Sequence, residues 1–221
     1  MKRTVYLLLF LGILAVAAGC NRQESVFYSG VESGWLNGGL FKSDSGVPMT
    51  VVGNEGNLDV TTARRVLLQY QTHSLMSSGK VDIDVLNIWD AGIIDPEPAV
   101  TLPDTPSGSP LQVTDAWFSA NYLNILASYP CENPSGHSTS VSYLVDARAI
   151  TLQLRHEGPT GSKSNDVFLS IPMEAPVNAY KERQGALANF PVDVLLQWSW
   201  YESKNGPLKL YGRTGSYKPE S

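Results

Sequence analysis

The chain has 221 residues, 43% of them apolar, 10% aromatic and only 17% charged. At roughly 150 residues per domain this is one or two domains. A charged fraction below the roughly 25% usual for soluble proteins excludes a coiled coil, a long solvated helix or a charged disordered tail. Sixteen basic residues against 21 acidic ones give a formal charge of −5, which argues against a nucleic-acid partner, since phosphate calls for a basic face.

Lys2 and Arg3 precede an uncharged apolar run from Val5 to Ala18. The run is too short for the roughly 20 residues that span a bilayer but fits the core of a signal peptide, predicted over 1–19. It ends Val16-Ala17-Ala18-Gly19-Cys20, small residues before a cysteine, which resembles the lipobox of bacterial lipoproteins. There the Cys20 thiol would take a diacylglyceryl group and its freed amine an acyl chain such as palmitate. At roughly 0.8 kcal/mol per buried CH₂, two or three chains anchor stably. Cleavage after Ala15-Val16-Ala17 is the alternative, and it would release a soluble protein. Removing residues 1–19 takes two of the 16 basic residues and no acids, so 14 face 21 and the charge becomes −7. With Cys20 acylated, Cys131 has no disulfide partner and reads as an unreactive, partly buried thiol at a strand end.

Residues 20–94 alternate as strands do. Val66, Leu68 and Tyr70 share one parity, and Val81, Ile83, Val85 and Trp89 share a face opposite Asp82, Asp84 and Asp90. Further strands are predicted at Gly39–Lys42 and Met49–Val52. The 95–110 segment, DPEPAVTLPDTPSGSP, holds five of the 14 prolines and reads as an extended, semi-rigid linker. Residues 111–221 then give about seven strands: Leu111–Phe118 and Tyr122–Tyr129 as a hairpin about Ser119-Ala120-Asn121, Ser140–Val145, Ile150–His156, Val167–Ile171, Val192–Tyr201 and Leu208–Tyr211, the last pair turned at Lys204–Pro207. One short helix is predicted over Ala179–Ala188. The fold class is all-β: a small closed or half-closed β-barrel followed by an immunoglobulin-like β-sandwich.

Several segments together carry a family resemblance. They are the lipobox, Arg64-Arg65-Val66-Leu67-Leu68-Gln69-Tyr70, Val113-Thr114-Asp115-Ala116-Trp117-Phe118, Asn121-Tyr122-Leu123-Asn124-Ile125 and Leu152-Gln153-Leu154-Arg155-His156. In these the chain resembles the NigD-like family of Bacteroidales lipoproteins. The resemblance implies an N-terminal OB-fold domain followed by a C-terminal β-sandwich. The family's name comes from a bacteriocin operon, which implies an immunity-like role by association alone.

The residues for chemistry are sparse. His73, His137 and His156 form no H-x-x-x-H, H-E-x-x-H or C-x-x-C spacing, so no metal site and no cofactor are predicted. His156 falls in line with Leu152 and Leu154 at a strand end, and Gly136-His137-Ser138 reads as a solvated turn. There is no G-x-S-x-G elbow. Gly158–Ser164 lacks phosphate-loop spacing and reads as a plain turn, and Asp82 with Asp84 as a solvated strand face. Of the five tryptophans, Trp117, Trp198 and Trp200 share parity with aliphatic residues and are predicted to pack in a core. Trp35, in the glycine-rich SGWLNGG run, is not explained that way and is the candidate ligand-binding aromatic. The expectation is a non-enzymatic protein held at the outer membrane by its lipid, with a periplasmic face favoured over surface exposure because no acidic run follows Cys20. Its partner is an unknown protein or, alternatively, a glycan.

Overall fold

The computed structural model describes residues 28–75, 81–203 and 206–220. The signal peptide, Cys20 and the turn residues Lys204 and Asn205 lie outside the described residues. The strands are β1 (Ser29–Asn37), β2 (Leu40–Ser43), β3 (Pro48–Asn54), β4 (Arg64–Leu75), β5 (Val81–Ile93), β6 (Glu97–Pro98), β7 (Gln112–Ser119), β8 (Tyr122–Cys131), β9 (Ser138–Val145), β10 (Ala149–Glu157), β11 (Lys163–Pro172), β12 (Val192–Tyr201) and β13 (Leu208–Tyr217). One helix, α1 (Glu174–Gln184), precedes β12. The chain is therefore all-β in two modules.

The first module closes on itself. β1, β2 and β3 form an antiparallel meander, β1 and β5 flank β4 antiparallel to it, and β3 runs parallel to β5. The ring β1-β2-β3-β5-β4 is the five-stranded pairing of an OB-fold barrel. Alternation supplies its core: Leu36, Phe41, Met49, Val66, Leu68, Tyr70, Ile83 and Val85 point inward. The walls come very close at Gly34, where a β-carbon would lie 2.3 Å from the Lys42 carbonyl oxygen and 2.8 Å from the Phe41 ring.

The second module is a sandwich. β7, β8 and β11 form one sheet, and β6, β9, β10, β12 and β13 the other. Consecutive strand pairs alternate between the layers as in immunoglobulin domains. One pairing has its own geometry: β10 and β12 run parallel, with α1 on the path from β11 back to β12. The layers enclose Leu111, Ile125, Ile150, Leu152, Ile171 and Val194 with their neighbours. Ala120 and Asn121, with φ of 44° and 63°, form the two-residue turn of the β7–β8 hairpin, as its strand twist prefers. The helix begins five residues before the predicted Ala179. Pro176 sits in its first turn, where an amide has no helical acceptor to lose, so the proline starts the helix and does not break it.

The modules are not strung apart. β5 is 13 residues long, and its last residues Ala91, Gly92 and Ile93 pair in parallel with Phe168, Leu169 and Ser170 of β11. The barrel and the first sandwich layer thus form one continuous eight-stranded sheet. The proline-rich segment is fastened along the second layer. Gln153 Nε2 donates to the Pro103 carbonyl (2.8 Å), and the Ser109 and Leu111 amides donate to the carbonyls of His156 (2.6 Å) and Ser199 (2.9 Å).

Replacing Gly34 with Ala should lower stability by about 1–3 kcal/mol, the usual cost of overpacking a close-packed interior. Urea unfolding measures it, and an unchanged midpoint would contradict the close approach of β1 and β2.

Candidate functional site

The site grows from one residue. Arg65 lies on the outer face of β4, where a barrel strand normally meets water, yet its side chain is fully buried. The second module covers it. Its Nη1 and Nη2 donate to Asp44 Oδ1 (2.9 Å) and Oδ2 (2.6 Å), a two-point pairing with the turn after β2. Nε donates to Ser170 Oγ on β11 (3.0 Å), and Nη2 also to Asn124 Oδ1 on β8 (3.0 Å). The guanidinium carbon sits 4.0 Å from the centre of the Tyr122 ring. Asp44 Oδ2 is further fixed by Ser33 Oγ and Ser119 Oγ, each at 2.6 Å. Burial alone would push the Asp44 carboxyl up. The hydrogen bonds from Arg65, Ser119 and Ser33, with the charge of Arg65, outweigh burial and hold it below its ordinary 3.8. It is therefore a fixed anion and not a proton donor.

A groove lies on either side of this junction. One, of about 270 Å³, is lined by Val31, Glu32 and Ser45 of the barrel and by Trp117 and Ser119 of β7. The other, of about 310 Å³, is lined by Trp89 and Asp90 of β5 and by Asp166 and Phe168 of β11. Each has an indole and carboxylates in its wall.

Two of these indoles stand where alternation does not place them. Trp117 was expected to face the core with Leu111 and Val113. Instead β7 carries a bulge at Thr114, where the register slips between Val113 and Asp115. The extra residue flips the parity, so Ala116 and Phe118 pack on the core and Trp117 turns out onto Phe168, ring centres 6.0 Å apart. The same device acts in β5. The register skips Leu86, Ile88 packs on the barrel core and Trp89 is released to the second groove. Trp198 does pack on the sandwich core and stacks on Tyr211, whereas Trp200 is only half-buried at the strand end.

Trp35 sits on β1 opposite Lys42 of β2 and Arg65 of β4. It is 44% exposed, with Val31 and Leu40 also exposed on these strands. It lines neither groove. Cys131 is buried and unpaired at the end of β8. Asp82 departs from its predicted solvated face: it is buried, while Asp84 is half-buried and pairs with His73 at 3.1 Å. A β-carbon on Gly53 would fall 2.0 Å from Asp84 Oδ1, so a glycine on β3 makes room for that carboxylate.

His156 is buried in line with Leu152 and Leu154 at the end of β10, as expected, whereas His137 departs from the expected solvated turn. His137 Nδ1 lies 3.0 Å from His156 Nε2, and His156 Nδ1 lies 3.0 Å from Thr139 Oγ1. Tyr129 stacks on the His137 ring and lies tilted against that of His156. The β9–β10 register sets Thr139 opposite His156 and so carries His137 to it, a proximity that 19 residues of separation conceal. Burial, then the neighbouring His137, push His156 below its ordinary 6.5, against the opposing charge of Glu157 and a hydrogen bond from the ring to the Ser138 backbone carbonyl. Among the described residues no group of three or more His, Cys, Asp or Glu side chains is arranged to hold a metal ion.

Two outcomes follow from these geometries. Arg65→Met leaves the buried Asp44 anion without its partner and should cost about 3–5 kcal/mol in urea unfolding, while Arg65→Met with Asp44→Asn should cost less than the two single changes added together. A lowered His156 pKa means that the unfolded chain takes up more protons as pH falls through about 6.5. Stability is then full above that pH and declines below it. The urea midpoint should be lower at pH 5.5 than at pH 7.5, and His156→Gln should narrow the gap. An equal gap in that variant would remove the histidine pair as its cause.

No family model matches the chain, and no curated protein matches it by sequence. Solved structures do. A NigD-like immunity protein from Bacteroides caccae superposes with a TM-score of 0.63 at 16% identity, over 87% of this chain and 98% of that one. A protein of unknown function from Bacteroides vulgatus gives 0.61 at 12% identity, over 86% and 92%. A candidate lipoprotein from Bacteroides fragilis gives 0.60 at 12% identity, over 88% and 100%. Nearly the full length of each is covered, so the likeness extends to both modules and their docking: the chain has the two-module fold found in a NigD-like immunity protein and its Bacteroides structural neighbours.

Proposed function

We propose that the chain is a non-enzymatic, lipid-anchored protein of the cell envelope whose two docked β modules bind a partner protein. Cys20 receives the lipid, residues 1–19 are removed, and the modules stand at the outer membrane on its periplasmic side. An immunity-like role is the form of protein binding that the name of the Bacteroides caccae neighbour brings to mind. Fold likeness at this identity does not carry a function, so the reading rests on the junction. Arg65 and Asp44 fix the two modules against each other, and the grooves beside them are shaped before any partner arrives. A preformed surface of this kind lowers the ordering cost of association.

Trp35 is the proposed aromatic contact on the barrel. Its exposed indole, close in sequence to exposed Val31 and Leu40, also favours a second reading, a glycan ring stacked on it. The two readings separate in one experiment. Full-length protein with Cys20→Ser is immobilised and exposed to solubilised envelope and to secreted extract, with bound protein and sugar analysed. One enriched protein whose capture falls in Trp35→Ala supports protein binding. Enriched glycan without protein supports the second reading and overturns the first. The same Cys20→Ser change should move the protein from the membrane to the soluble fraction, and continued membrane fractionation would contradict the anchor.

A further inference from the structure

The first groove presents an unusual balance of polar groups. Its wall holds the carboxylate of Glu32, three serine hydroxyls and the indole of Trp117, and Asp44 lines it from behind. Ser33 and Ser119 donate to Asp44 Oδ2, and Ser45 donates to Glu32 Oε2 at 3.1 Å. Each hydroxyl proton is thus directed at a carboxylate. Glu32 Oε1 accepts from Tyr70 at 2.7 Å, and burial, with the Glu32 hydrogen bond and charge, pushes that phenol up so that it stays protonated and donating. Apart from the Trp117 indole N–H, what the side chains of the lining offer to a newcomer is therefore lone pairs.

The charge is unequal as well. Asp44 is matched by Arg65, whose side chain has no exposure to the groove. Among the described residues no cationic side chain pairs with Glu32. One face of the Trp117 indole is stacked on Phe168, which holds the ring in place at the groove wall. In the opposite groove Asp90 is engaged by Arg64, while Asp166, like Glu32, pairs with no cationic side chain among the described residues.

We infer that the groove between Glu32 and Trp117 receives a lysine or arginine side chain of the partner protein. The inference rests on the protein-binding reading above and names the chemistry of the contact. Lysine and arginine are the side chains with several donors and no acceptor, which suits a wall of acceptors. An indole face attracts a cation, and a nearby carboxylate without a cationic partner supplies its counter-charge. A sugar hydroxyl is both donor and acceptor, and its lone pairs would meet only the Trp117 indole N–H as a side-chain donor here. The formal charge of −7 without the leader favours the approach of a basic partner.

The test uses the full chain in non-ionic detergent with its five tryptophans replaced by 5-fluorotryptophan. The Trp117 fluorine resonance is assigned from Trp117→Phe. The probes are N-acetyl-arginine amide and N-acetyl-lysine amide. The neutral isostere N-acetyl-citrulline amide and methyl glucoside serve as comparisons. The expected result is a saturable shift of the Trp117 resonance with the cations, about tenfold weaker or absent with citrulline amide and in Glu32→Gln. Glu32→Gln retains an acceptor for Tyr70, and unmoved resonances from the other tryptophans verify its fold. Citrulline amide binding as well as arginine amide, a shift with the glucoside alone, or no shift with either cation would each overturn the inference. A partner captured from the envelope equally by Glu32→Gln would overturn the groove and leave the protein-binding reading standing. Arginine binding at Trp117 with no partner in any extract would support the groove and count against that reading.

Discussion

A buried guanidinium holds this molecule in its shape. Moving a charge out of water costs several kcal/mol, and a buried ion pair repays that only if its geometry is good and its remaining hydrogens are met. Arg65 meets both conditions with groups drawn from two modules: Asp44 from the barrel, and Asn124, Ser170 and the Tyr122 ring from the sandwich. Asn124 Nδ2 in turn donates to Ser119 at 2.7 Å and Ser170 donates to Asn124 at 2.8 Å, so the polar groups close into a network. Undocking the modules would dismantle that network at once. The docking is therefore specific in a way that apolar contact alone would not make it.

Other features follow from that constraint. β5 overshoots the barrel and pairs with β11, which gives the two modules a common sheet. The proline-rich segment need not act as a spacer and is fastened along the far layer of the sandwich. The barrel surface nearest the sandwich, which includes Ser33, Arg65 and Leu67, is closed to solvent, and the two grooves lie at the rims of the junction. There two bulges turn Trp89 and Trp117 outward beside carboxylates. Each groove is therefore lined by residues of both modules.

Much of the fold was legible because alternation over long strands is a strong signal. Val66-Leu67-Leu68 and Val192–Trp198 place their inward faces correctly, and Asn121 marks the β7–β8 turn. The site was far less legible. A bulge adds one residue without changing composition, so the orientations of Trp89 and Trp117 invert with no local mark in the sequence. Arg65 reads as an outward-facing residue of a strand, and its burial depends on Asn124 and Ser170, 59 and 105 residues away. The contact between His137 and His156 is equally a product of register. Trp35 was legible as an exposed aromatic because Leu36 beside it claims the inward position, yet exposure alone does not assign it a ligand.

The central claim is that the modules form one cooperative unit through Arg65. Native-state hydrogen exchange measures this most directly, by comparing amides in β1 and β4 of the barrel with amides in β8 and β11 of the sandwich. The account predicts that the slowest amides of both sets open with the same free energy and the same denaturant dependence, the mark of one global unfolding. Barrel amides that open at lower free energy and with a smaller denaturant dependence than those of the sandwich would show the barrel unfolding alone, and would contradict it.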